Sequence, residues 1–221
     1  MGEYIYRKAV TQDWISLFYL MNVVLFALLF SLDSNRIKAV LKFYASDLYI
    51  SKYQTEKNTK FLSVFNLICF VFIVNTLCLL AISASRYSNQ IINYAFEYVY
   101  FFIGLSLFLS LRFFLIQFFM KQLNILKKVK LLFFKNFTHH FQFTFVLFFF
   151  LLIGFYSLPS STLFFVFFFF LFGLWSYYQF RILFTFFRSN PRAVFHLILY
   201  LCTLKLIPWY WFYYLMIEPK L

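Results

Sequence analysis

Acidic residues, glycine and proline are all scarce in this chain. Seven Asp and Glu stand against 20 Lys and Arg, and Gly and Pro number four each in 221 residues. Each scarcity excludes something. No G-x-x-x-G occurs, so that close helix-pairing device is absent. Transporters often carry Gly- or Pro-interrupted helices in matching halves, whereas here Pro208 stands alone in its apolar stretch and no internal repeat is visible. The three cysteines, Cys69, Cys78 and Cys202, lie inside apolar stretches without a C-x-x-C, which suggests neither a zinc site nor a disulfide framework. They read as inert buried thiols. There is no H-E-x-x-H, no pair of carboxylates in one span, no G-x-S-x-G and no phosphate loop, so the chain reads as non-enzymatic, with no cofactor and no metal.

What is abundant is apolar and aromatic. Hydrophobic residues make up 64% of the chain and aromatics 27%, with 39 Phe. Soluble domains are roughly half apolar, and a soluble fold of this length could not hide the excess. Lipid must therefore be the solvent for much of the surface. The length permits one bundle. The expected fold class is all-α, a single integral membrane bundle of about six transmembrane helices with cytoplasmic amphipathic segments.

The spans read as 14–32, 61–83, 91–120, 137–158, 162–183 and 193–217. Arg7-Lys8 precedes a full-length span with no small-residue cleavage site, so no cleavable signal is expected. Lys and Arg number two in the head, six in the first connection, one in the second and five in the third. None falls in the fourth connection, three fall in the fifth with Arg181, and one falls in the tail. Rich and poor connections alternate. The positive-inside rule then places both termini on the periplasmic side. The net charge of +13 would suit a nucleic-acid binder, but its confinement to short gaps between apolar spans fits cytoplasmic loops, and no nucleic acid is expected.

In the first connection, Ile37, Val40, Leu41, Tyr44 and Leu48 recur at helical spacing. This predicts an amphipathic helix on the anionic cytoplasmic face, with lysines such as Lys38 and Lys42 toward lipid headgroups. Lys127, Lys128 and Lys130 in the third connection and Arg181 near the end of the fifth span are candidates for the same headgroup or partner contacts. Asn22 is an amide inside the first span, able to bond a neighbouring helix, and the second span contains Asn66 and Asn75.

The sharpest candidate is Lys205, near the middle of the last span, with Pro208 after it and a belt of Trp209, Tyr210, Trp211, Tyr213 and Tyr214 beyond. A charge at bilayer depth costs about 2.5–3.5 kcal/mol on insertion scales and by default marks function, and Pro208 frees the carbonyl of Leu204. Lys205 pairs with Glu97 or with a partner's acid, serves an ion or proton step, or snorkels to the interface. Glu97 and Arg112 lie 15 residues apart on the third span, roughly 22 Å at ~1.5 Å per residue, too far to pair on one straight helix. His139, His140 and His196 fall near cytoplasmic helix ends. They read as interfacial residues, or as axial haem ligands if two come from different helices.

Asp13-Trp14 at the head of the first span and the terminal pattern F-H-L-I-L-Y-L-C-T-L-K-L-I-P, Phe195 to Pro208, resemble the domain of unknown function 4271 family, multi-pass inner-membrane proteins of Bacteroidota. The long polar first connection and the basic third one fit as well. The family often has an acid where this chain has Lys205. The resemblance implies a place and compartment, with no established activity to carry over.

Together these readings predict a non-catalytic integral subunit or assembly partner of a larger inner-membrane complex, such as a secretion or motility motor. The alternatives are an ion or proton transport component using Lys205 and Glu97, and a haem-binding membrane protein. The expected partners are membrane lipids and other integral membrane proteins, with no soluble small-molecule substrate. Abundant Phe, Tyr, Ile, Lys and Asn suggest an AT-rich genome, which fits a bacterial inner membrane or an organelle-encoded protein of the mitochondrial inner membrane.

Overall fold

A computed structural model describes residues 13–42, 46–53, 63–87, 95–122, 126–157 and 161–189. Among them the chain is all helix, with no strand. In order the helices are α1 (Asp13–Leu32), α2 (Ser34–Val40), α3 (Ser46–Tyr53), α4 (Val64–Tyr87), α5 (Ala95–Gln122), α6 (Leu126–Ser157) and α7 (Ser161–Ser189). Four contain stretches long and apolar enough to cross a membrane: Trp14–Leu32, Val64–Ser83, Phe133–Tyr156 and Phe165–Ile182. They correspond to the first, second, fourth and fifth spans read from the sequence. The third corresponds to α5, whose described apolar run is Tyr98–Leu111. The sixth lies outside the described residues.

Two connections differ from the sequence reading. The basic stretch before the fourth span is no separate loop, because α6 starts at Leu126 and carries it as its opening turns. Leu and Lys are good helix formers, and neither Gly nor Pro occurs from Lys121 to Ile153 to interrupt them. The first connection forms two short helices rather than one, and its apolar face packs on the bundle instead of on lipid. Ile37, Val40, Tyr49 and Ile50 all belong to the buried core, while Lys38, Lys42 and Lys52 remain exposed. Asp33 sets the break between α1 and α2. Its carboxylate accepts the Arg36 backbone N–H at 2.9 Å, capping α2.

α4 is the central helix. It packs against α1, α5 and α6, and 61% of its span is buried, against 22% for α1, 39% for the α6 span and 17% for the α7 span. Lipid offers helices no hydrophobic reason to associate, so close packing and interhelical hydrogen bonds must hold them. α4 supplies three such anchors. The Asn75 amide donates to the Phe18 carbonyl of α1 at 3.0 Å and accepts from the Tyr98 hydroxyl of α5. Thr76 accepts from the Asn22 amide of α1 at 3.0 Å and donates to its own Phe72 carbonyl at 2.9 Å. Asn66 reaches α2. Around these bonds Phe72 packs tilted against Phe141 and edgewise against Phe148 of α6, at 5.5 and 5.7 Å between ring centroids.

Replacing Asn75 with Leu keeps bulk and hydropathy but leaves the buried Tyr98 hydroxyl without its side-chain acceptor and Phe18 without its donor. The expected loss is about 0.6–2 kcal/mol, read as a lower midpoint for thermal unfolding in detergent. An unchanged midpoint would show that Asn75 does not join the helices.

Candidate functional site at the basic end of the bundle

One end of the bundle gathers the cationic segments. Gln142 of α6 donates a hydrogen bond to the Val40 carbonyl at the end of α2, and Phe134 stacks on Tyr49 of α3 at 5.8 Å. His139 of α6 stacks on Tyr178 of α7 at 5.6 Å. These contacts bring α2, α3, the early part of α6 and the late part of α7 to the same end as the start of α4. Lys38, Lys42 and Lys52 lie here, as do Lys135 and Arg181.

At the centre is a buried cation. Arg36 is only 4% exposed, and among the described residues the contacts of its guanidinium are with neutral groups. Nε donates to the Tyr49 hydroxyl at 3.1 Å and a terminal nitrogen donates to Asn66 Oδ1 at 3.0 Å. The guanidinium carbon sits 3.9 Å from the centroid of the Phe65 ring and 5.8 Å from that of Tyr53. The Asp33 carboxylate is committed to the Arg36 backbone N–H. A buried charge is tolerable only when its hydrogens are satisfied, and here amide, phenol and aromatic faces share that role. Burial raises the Tyr49 hydroxyl to about 12, against the opposing pull of the Arg36 charge and its hydrogen bond.

The second element of the site is the seam between α6 and α7. The Trp175 indole N–H donates to His140 Nδ1 at 3.3 Å, so that nitrogen is an acceptor. A half-open cavity of about 240 Å³ lies beside it. His139, Gln142, Trp175 and Tyr178 line one end, and Phe143, Val146, Leu171 and Leu174 line the other. The cavity shows a graded wall, polar toward the basic end and apolar toward the middle of the spans.

Residue by residue, the structure redistributes the sequence candidates. Lys38 and Lys42 are exposed beside the Arg36 cluster, and Lys38 Nζ lies 5.6 Å from the centroid of the Phe30 ring. Arg181 is exposed on α7. Lys205 and Pro208 lie outside the described residues, as do the side chains of Glu97, Arg112, Lys127, Lys128 and Lys130. His139 and His140 stand on one helix and are engaged across the α6–α7 seam. His196 lies outside the described residues.

Residues 15–216 match the family described as Domain of unknown function (DUF4271). The chain belongs to that family. No curated protein and no solved structure matches it. The DUF4271 match takes in both the Arg36 cluster and the α6–α7 cavity, together with the whole stretch that carries Lys205.

Sequence reading missed Arg36 as a site, counting it among the loop charges. The signal was available: Arg36 and Val40 are four residues apart, so the arginine shares the helix face of a predicted apolar position. Tyr49→Phe should leave Arg36 Nε without its acceptor and cost about 1–3 kcal/mol at neutral pH. The folded protein keeps the Tyr49 proton up to about 12, while an unfolded chain releases it near the ordinary value of 10.0. Stability from this group is therefore intact below 10 and falls as pH rises toward 12. Melting curves in detergent from pH 9 to 12 check this: wild type should lose stability more steeply than Tyr49→Phe.

Proposed function

We propose that this DUF4271 protein is a non-catalytic integral subunit or assembly partner of a larger membrane complex. The observation that carries the reading is the outer surface of α7. This helix packs chiefly on α6 and is the least buried of the four long apolar helices. Phe165, Val166, Phe169, Phe170, Tyr177 and Phe180 are all exposed. At ~100° per residue they cover an arc of about 140° on the side away from α6. Lipid chains need only an apolar surface, which Leu supplies equally well. Aromatic rings add directional ring–ring contacts worth about 0.5–1.5 kcal/mol a pair, and those need rings or side chains on a partner helix.

The finer reading places this bundle in a bacterial inner membrane, in the Bacteroidota, with six spans and both termini periplasmic. Supporting it, the described basic segments meet at one end of the bundle, as cytoplasmic positive charge would require. A secretion or motility motor is a suitable host for such a subunit.

The test is capture of the tagged full-length protein from its own membranes in a mild detergent, with mass spectrometric quantification. A stoichiometric integral-membrane partner is expected with the wild type. The triple variant Phe169→Leu, Phe170→Leu, Phe180→Leu preserves hydropathy and should insert normally, but should recover that partner at roughly a tenth of the yield or less, as two or more ring contacts would imply. A wild-type protein purified alone and monodisperse overturns the proposal and turns attention to ion flux in proteoliposomes.

A further inference from the structure

We propose that the groove between α6 and α7 is a binding site for an anionic phospholipid, with its phosphate held by Lys135 and Arg181 and the upper part of one acyl chain lying in the cavity. The cavity-lining residues of α7 lie on its α6 side, away from the aromatic partner face, and Arg181 stands between the two.

The inference starts from register. His139 meets Tyr178, His140 meets Trp175, and Phe150 meets Phe167, at 5.6, 5.6 and 4.7 Å between ring centroids. Residue numbers rise on one helix as they fall on the other, so α6 and α7 run antiparallel. Every level of the bilayer is thus marked by one residue from each helix. The cavity lining, read level by level, sorts by polarity. His139 and Gln142 on α6 share the upper level with Tyr178 and Trp175 on α7, and Phe143 and Val146 share the deeper level with Leu174 and Leu171. A pocket for a flat or a soluble ligand would have no reason to be graded along the membrane normal. An amphiphile standing parallel to the helices needs that gradient.

Charge completes the match. Extending the register beyond the His139–Tyr178 pair sets Lys135 against Arg181. Lys135 lies one turn, ~6 Å along the axis, before His139 and within about 40° of it around the helix. Arg181 follows Tyr178 by three residues, ~4.5 Å and about 60° away. Lys135 is half-buried and Arg181 exposed. The register therefore sets two cations about one turn beyond the polar end of the cavity, near the ends of the two apolar spans, where a phosphate diester would sit. At about 240 Å³ the cavity takes only part of one chain, with the rest remaining in bulk lipid.

Trp175 lines the cavity and supplies a reporter. The full chain with Trp14→Phe, Trp209→Phe and Trp211→Phe would be placed in phosphatidylcholine nanodiscs. Its fluorescence would be titrated with phosphatidylglycerol or phosphatidylcholine carrying brominated acyl chains. Quenching by the brominated phosphatidylglycerol should reach half its maximum at a roughly thirtyfold lower mole fraction, as two basic contacts near the surface imply. Lys135→Gln with Arg181→Gln should remove that preference while leaving quenching by phosphatidylcholine unchanged, which also reports an intact fold. The exchange Lys135→Arg with Arg181→Lys should retain it. Equal quenching by the two lipids would mean annular lipid only and overturn the proposal, as would a preference that survives loss of both charges. Relief of quenching by excess inorganic phosphate would assign the site to a free anion and overturn the lipid.

Discussion

Helices surrounded by lipid cannot be driven together by expelling water, and everything in this bundle follows from how α4 meets that constraint. Its anchors are Asn66, Asn75 and Thr76, in a helix that is otherwise almost wholly apolar. Each reaches a different neighbour or a different level of one: Asn66 the buried arginine of α2, Asn75 the backbone of α1 and the phenol of α5, Thr76 the amide of α1. In a medium that cannot hydrate them, these groups have nowhere else to bond. They therefore specify which faces of the surrounding helices turn inward, and the Phe-rich packing around Phe72 fills in behind them. α7 makes no such bond to α4 among the described contacts, and it is correspondingly the most exposed of the long helices.

Arg36 extends this logic to the edge of the bundle. A loop arginine at the interface would ordinarily remain in headgroup water. Here Asp33 stops α1, caps α2 and so sets α2 with its Arg36–Val40 face toward the bundle. Once that face is buried, the guanidinium must be satisfied locally, and Tyr49, Asn66 and Phe65 supply its partners among the described residues. Its positive charge stands beside the exposed lysines of the same connection. The cluster thus serves both as the fastener of α2 and α3 and as part of the electrostatic character of the basic end.

The positions of four spans were legible because they depend on composition and length, which lipid enforces strongly. The ends of α1 were read to within a residue, whereas the far end of α4, the start of α6 and the far end of α7 were set less well, since no Gly or Pro stops these helices where the apolar run ends. Asn22 could be read as an interhelical amide from its presence alone, whereas Asn66 and Asn75 were visible only as polar residues inside a span, and the partner of Asn75 was hidden because Phe18 contributes only a backbone carbonyl. The fate of the first connection was half legible. Its apolar spacing was visible in Ile37 and Val40, whereas the choice between lipid and protein as the surface it covers depends on Phe134 and Gln142, about 100 residues away. The seam of α6 and α7 was hidden for a related reason. His139 and His140 look like interfacial residues until the antiparallel register shows what faces them.

That register also gives α7 its particular mechanical position. Among the described residues the helix meets the bundle chiefly along one ring-lined seam, with His139–Tyr178 and Phe150–Phe167 stacked and the Trp175 indole hydrogen-bonded to His140. Ring contacts tolerate sliding better than a hydrogen-bond network such as that of α4, because their energy varies slowly with offset. The cavity sits within this seam, at the level of Trp175. The graded groove and the aromatic outer face are therefore two sides of one helix, which among the described residues meets the bundle chiefly through α6.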